Sequence, residues 1–155
     1  MGLKRVVVTG LGALTPIGND IPSFWEGLVS GKSGAGRITY FDSTKFKTQF
    51  ACELKNFDPL NYFDRKEARK LDRFAQYAIV SSDEAIKDSK LNLEKIDKSR
   101  IGVIWGSGIG GFETIQNEMI NYANGDGTPR FNPFFIPKLI PDIAPGVISI
   151  RHGFK

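Results

Sequence analysis

Three consecutive β-branched residues, Val6-Val7-Val8, open the patterned part of the chain and predict a strand covered on both faces. Residues 10–18 read as a loop. Asp20-Ile21-Pro22-Ser23 then starts a helix over residues 24–29, with proline near its first turn and Gly31 near its end. Residues 31–43 read as loop, and 46–54 alternate imperfectly, as an edge strand does. The longest periodic stretch predicts one helix over about 64–88. Residues 100–105 form a second run of the buried-strand type. A glycine-rich turn follows at 106–111, then a helix over 112–122 with Phe112, Ile115, Met119 and Tyr122 on one face. Residues 124–129 read as a turn. Pro133, Pro137, Pro141 and Pro145 recur at intervals of four, and a last helix is predicted over 143–151. Strand–loop–helix units alternating in this way predict an α/β fold with a mainly parallel sheet.

Composition narrows the chemistry more than the fold. The 155 residues suit one domain, and 41% hydrophobic with 25% charged residues is ordinary for a globular chain. The single cysteine, Cys52, cannot form an internal disulfide, so a reducing cytoplasm is the expected setting. With His152 as the only histidine, the four-ligand Cys/His zinc sites are excluded. Lys4-Arg5 before an apolar run imitates a short signal peptide. Two glycines interrupt that run and no small-residue cleavage pattern follows, so it is read as the buried first strand. No segment approaches the roughly 18 apolar residues of a membrane span.

Gly106-Ser107-Gly108-Ile109-Gly110-Gly111 satisfies the dinucleotide pattern of three spaced glycines between a strand and a helix. Amides at such a helix start can cradle a pyrophosphate. The acidic residue expected about 20 positions later is missing, because Asp126 lies in a turn. Gly10-Leu11-Gly12-Ala13-Leu14-Thr15 is a poorer match. The plainer reading of both is a turn where two backbone segments approach closely.

The charge excess is concentrated. Residues 65–73 carry five cations, Arg65, Lys66, Arg69, Lys70 and Arg73, against Glu67 and Asp72. On one continuous helix the five cations span an arc of roughly 140°. Leu71, Phe74, Ala75, Ala78, Ala85 and Ile86 fall opposite. Asp64 and Glu67 resemble a capping-box pair. The cations then occupy the first two turns of the helix, where its dipole opposes them. Folding does not ask for that placement, whereas an anionic partner does. An acidic protein fits a compact stripe without aromatic interleaving better than nucleic acid does. Three readings stay open on the residues alone: an enzyme part, a non-catalytic module that binds an acidic protein, and a Rossmann-type dinucleotide-binding domain.

Several motifs in combination carry a resemblance. Lys4-Arg5-Val6-Val7-Val8-Thr9-Gly10-Leu11-Gly12 and Thr15-Pro16-Ile17-Gly18, with Trp25, Gly31-Lys32-Ser33-Gly34 and Phe41-Asp42, make up its first part. Asp64-Arg65-Lys66, Arg69-Lys70-Leu71-Asp72 and Phe74, the 106–111 glycines and Asn132-Pro133-Phe134-Phe135-Ile136-Pro137 complete it. The chain resembles the elongating β-ketoacyl-[acyl-carrier-protein] synthases, closest to synthase II, from Lys4 to Lys155.

The resemblance implies a thiolase-like layered α/β fold, a mixed sheet between helices, with residues 1–155 as the N-terminal portion of its first half and the second half absent. It implies decarboxylative Claisen condensation of an acyl-enzyme with malonyl-carrier protein in fatty acid elongation. A cysteine thiolate, two histidines and a lysine serve the family's chemistry. These lie at family positions later than those matched here, so the chain alone is expected to be inactive. Cys52 is expected to be a packing residue, and His152 matches neither catalytic histidine. Lys66, Arg69 and Lys70, with Arg130 near another basic position, match the family's carrier-protein contacts. Gly108 and Ile109 match the acyl-pocket wall, and Phe135 and Ile136 match residues that reach across a homodimer into the partner's pocket. No cofactor, metal, nucleic acid or membrane is implied. The partner implied is acyl carrier protein.

Overall fold

The computed structural model describes residues 2–155, which divide into two compact units. One comprises residues up to Phe57 with Asp83–Leu91, and the other comprises Asp58–Ser82 with Asn92–Lys155.

The first unit holds helix α1, Ile21–Val29, and a minimal sheet of β1, Gly36–Arg37, and β2, Phe50–Ala51. Helix α1 forms where predicted. The Asp20 side chain accepts from the Ser23 amide at 2.8 Å and Pro22 lies in the first turn, where a missing N–H does no harm. The sheet is antiparallel, with Gly36 opposite Ala51 and Arg37 opposite Phe50. It corrects two expectations: the edge strand shrinks to two residues, and its partner lies inside the segment read as loop. The N-terminal loop is held by carboxylates of residues 83–91. Glu84 accepts from the amides of Ala13 and Ile21, each at 2.8 Å, and Asp88 accepts from Leu11 at 2.9 Å. A side chain at Gly10 would collide with the Ala85 carbonyl and lie 2.6 Å from the Ser89 amide. The first glycine loop is therefore a close-packing device.

The second unit holds α2, Arg65–Lys70; most of α3, Arg73–Asp88; α4, Phe112–Ala123; α5, Phe135–Leu139; and α6, Ile143–His152. Its core is Phe63, Leu71, Ala75, Ala78, Ile79, Val80, Ala144 and Ile148. Ile79 and Ile148 are the largest fully buried side chains, each contributing about 1.5–3 kcal/mol by leaving water. Helices α4 and α6 form where predicted. Helix α5 was not foreseen in its proline-rich stretch. Pro137 occupies its third position, where the absent N–H has no helical acceptor to lose.

Two expectations fail in instructive ways. The single helix over 64–88 is broken, because Leu71 takes extended dihedrals (φ −111°, ψ 138°) and a new helix starts at Arg73. The break satisfies its own polar groups. The Asp72 carbonyl accepts from Ala75 and Gln76, each at 3.1 Å, and the buried Gln76 side chain donates to the Ala68 carbonyl at 3.0 Å and to Leu71 at 3.4 Å. Leu71 is thereby turned into the core, with Ala75 and Ala78, while Phe74, Ala85 and Ile86 are only half-buried. The two buried strands also fail to appear. Residues 6–8 and 100–105 carry no ladder among the described residues, and Val6 and Ile104 are 88% and 99% exposed. A parallel strand is stable only between neighbours that take its amides and carbonyls; no such neighbour pairs with residues 6–8, and in the second run a single carbonyl, that of Ile101, accepts from the distant Lys155 amide at 3.3 Å.

Candidate functional site

The basic stripe survives the helix break in altered form. Asp64 caps α2, accepting from the amides of Lys66 at 2.7 Å and Glu67 at 2.8 Å. These two hydrogen bonds, and then the charge of Lys70, hold its carboxyl below the usual value. The reciprocal half of the predicted capping box does not form. Glu67 instead pairs with Arg151 at 3.0 Å, and the Arg151 guanidinium lies 5.8 Å from the centre of the Phe63 ring. Arg65, Lys66, Arg69 and Lys70 are exposed along α2, and Arg73 is exposed at the start of α3. The expectation that the helix dipole opposes these cations is corrected for two of the five. Helix α2 has only six residues, so Arg69 and Lys70 lie in its last turn, where the dipole favours positive charge, whereas Arg65 and Lys66 begin α2 and Arg73 begins α3, where it opposes them.

What the stripe offers to a partner is a row of exposed cations, of which Arg65, Lys66 and Arg73 remain at helix starts. Lys70 also reaches the Phe134 ring, 5.5 Å from its centre. Arg73 approaches Glu113 at 3.6 Å with both side chains half exposed, a weak surface pair. Arg130 pairs with Asp126 at 3.5 Å and is well exposed.

The glycine turn has a structural explanation that needs no nucleotide. The Gly110 amide donates to Ser107 Oγ at 3.1 Å, and the Gly111 amide donates to the Leu139 carbonyl at 3.0 Å. Two of the amides a pyrophosphate would need are therefore engaged within the chain. Gly110 has φ +82°, and a Cβ on Gly111 would collide with the Lys138 carbonyl. Gly108 has open space around it. The turn is thus tied to the end of α5, so the segment with Gly108 and Ile109 adjoins the helix with Phe135 and Ile136. These residues do not close a pocket by themselves: Ile109 and Ile136 are 64% and 57% exposed. Phe135 is half-buried and stacks on Phe131 at 5.8 Å.

Cys52 is exposed rather than packed, which corrects its expected role. His152 stacks on Phe154 at 5.3 Å. No group of three His, Cys, Asp or Glu residues able to hold a metal occurs among the described residues, and no helix there is long and apolar enough to cross a membrane. Sequence reasoning gave no structural role to Asp72, Gln76, Thr114 and Glu84, which hold the turns and helix ends together. A usable signal existed for one of them, since an aspartate directly before a helical run is a capping residue.

The family of the N-terminal domain of beta-ketoacyl synthases has a model that matches residues 3–155. The chain belongs to this family. It is 48% identical over 152 residues to 3-oxoacyl-[acyl-carrier-protein] synthase 2 of Staphylococcus aureus strain COL, and 43% identical over 152 residues to the synthase 2 of a Synechocystis strain. Each match covers 98% of this chain and 36% of the relative, so the chain spans about a third of the length of these curated relatives.

Solved ketosynthases share the fold. The ishigamide ketosynthase/chain length factor matches with a TM-score of 0.84 and 25% identity, over 96% of this chain and 37% of its own. A chain of AntDE:AntF, a type II PKS acyl-carrier protein in complex with its ketosynthase bound to the hexaketide, matches with a TM-score of 0.78 and 30% identity, over 98% of this chain and 40% of its own. The ketosynthase-family chain therefore has part of the thiolase-like α/β fold, in which helices and a small sheet are formed. The dinucleotide-domain and stand-alone-module readings find no support in these likenesses.

Proposed function

We propose that this chain is the N-terminal portion of the first thiolase-like half of a 3-oxoacyl-[acyl-carrier-protein] synthase, an acyltransferase of fatty acid elongation. The condensation joins an acyl-enzyme to malonyl-carrier protein with loss of CO₂. The thiolate, histidines and lysine of the condensation belong to family positions later than those matched here, and the share of the work we assign to residues 1–155 is binding. Lys66, Arg69 and Lys70 form the docking stripe for the acidic acyl carrier protein, with Arg130 as an outlying cation. Gly108 and Ile109 wall the acyl chain, and Phe135 and Ile136 reach the partner's pocket in a cytoplasmic homodimer.

The observation that carries this reading is the exposed cation row on α2 in a chain matched to the family over residues 3–155. Clustered like charge of this kind steers an acidic protein and makes its affinity fall with salt. Calorimetric titration with purified acyl carrier protein tests it. Lys66→Glu with Arg69→Glu is expected to weaken binding by roughly tenfold or more, with a steep salt dependence in the parent. An unchanged affinity would return the stripe to the status of a solvated face.

A further inference from the structure

Asp72 occupies an unusual position for a carboxylate. It is 8% exposed, and its Oδ2 accepts the hydroxyl hydrogen bond of Thr114, which is equally buried. A buried carboxylate without partners is expensive, and here the partner comes from a different helix. Asp72 precedes the first residue of α3, and Thr114 is in the first turn of α4. The residue before α4 is Gly111, which has no side chain to cap the helix. The carboxylate therefore lies at the positive ends of two helices at once, a favourable place for negative charge. It also packs against the glycine turn, since a Cβ on Gly111 would be 3.1 Å from Asp72 Oδ2. A hollow of about 190 Å³ beside it is lined by Leu71, Asp72, Arg73, Glu113, Thr114 and Lys138 among others. On one side of Asp72 is the corner that orients Lys66, Arg69 and Lys70. On the other is the turn with Gly108 and Ile109.

We propose that Asp72, through Thr114, is a positioning residue that couples docking of an acidic partner on the basic stripe to the glycine turn that carries Gly108 and Ile109. The proposal rests on the carrier-docking reading for its partner. Its physical content is a two-ended link: a docked partner restrains the α2–α3 corner, and the Asp72–Thr114 hydrogen bond passes that restraint to the turn. Residues in one hydrogen-bonded network are where such coupling is found.

Amide hydrogen exchange on the 155-residue chain tests it, with and without purified acyl carrier protein. Thr114→Val keeps the shape and removes the hydroxyl, and Thr114→Ser restores it. Without carrier, Thr114→Val is expected to speed exchange roughly tenfold both at residues 107–114 and at residues 68–76, with α6 unchanged and Thr114→Ser like the parent. Faster exchange confined to α4, or spread through α6 as well, overturns the proposal, because the bond is then only local or only structural. With carrier, the parent and Thr114→Ser gain protection at residues 107–111, whereas Thr114→Val binds within about threefold of the parent affinity but loses that protection. Equal protection in Thr114→Val overturns the coupling. If the parent binds no carrier, the docking reading fails and the carrier-free comparison alone decides whether the link exists.

Discussion

Replacing Gly111 with alanine separates a packing role for the glycine turn from a ligand-cradling role. The backbone is not the obstacle, since Gly111 has φ −78°, which alanine adopts readily. The obstacle is space. The added carbon would overlap the Lys138 carbonyl oxygen, lie 2.9 Å from the carbonyl carbon and 3.1 Å from Asp72 Oδ2. Carbon atoms prefer about 3.5–4.0 Å, so the two segments must separate by something near 1 Å.

That separation strains the Gly111–Leu139 hydrogen bond, worth about 1 kcal/mol net. The overpacking itself costs about 1–3 kcal/mol. The sum is about 2–4 kcal/mol, or a fall in melting temperature of roughly 5–15 °C for a chain of this size. Gly108→Ala has nothing within 4 Å of the new carbon and should leave the melting temperature within a degree or two. Thermal unfolding followed by far-ultraviolet circular dichroism measures both. Equal melting temperatures for the Gly111→Ala variant and the parent would refute the packing argument. A large loss in Gly108→Ala would show that the turn is held by contacts other than those with residues 138–141.

Three further outcomes are expected. NAD and NADP should produce no saturable thermal shift, because the Gly110 and Gly111 amides are already bonded within the chain; a saturable shift would revive the dinucleotide reading. Asp64 has a lowered carboxyl pKa in the folded chain, so its capping contribution is present above the unfolded value and lost as the pH falls through the folded one. The amide resonances of Lys66 and Glu67, its two donors, should therefore titrate below the ordinary aspartate value and stop doing so in Asp64→Ala; a titration that persists in the variant would assign it to another group. Cys52, being exposed, should react completely with a thiol reagent in the folded chain; a thiol that reacts only in denaturant would contradict its placement.

Helices were the legible part of the fold because their signals are local. Asp20 and Pro22 announce α1 within four residues, and the 3.6-residue spacing of Phe112, Ile115, Met119 and Tyr122 places α4, although Phe112, Met119 and Tyr122 are exposed and Thr114 is the buried residue of that helix. The strands were not legible in the same way. The β-branched run at residues 6–8 records a preference for burial, but a strand exists only if another segment takes its hydrogen bonds. The candidate site divides along the same line. Clustering of cations is a property of adjacent residues and was readable at 65–73. Whether those cations oppose or favour the helix dipole depended on where the helix ended.

Net charge, the single cysteine and histidine, the starts of α1, α2, α4 and α6 and the family motifs follow from residue identity and short-range spacing, and the chain alone decides them. The break at Leu71, the burial of Asp72 against Thr114 and the use of Gly111 as a contact point with residues 138–139 were decided by tertiary structure. Two of these depend on a partner more than 25 positions away, and the break at Leu71 depends on competition between the helical ladder and side-chain hydrogen bonds from Gln76. Periodicity carries no record of such competition. It is settled when Gln76 takes the carbonyls at the end of α2 and Asp72 begins a new helix.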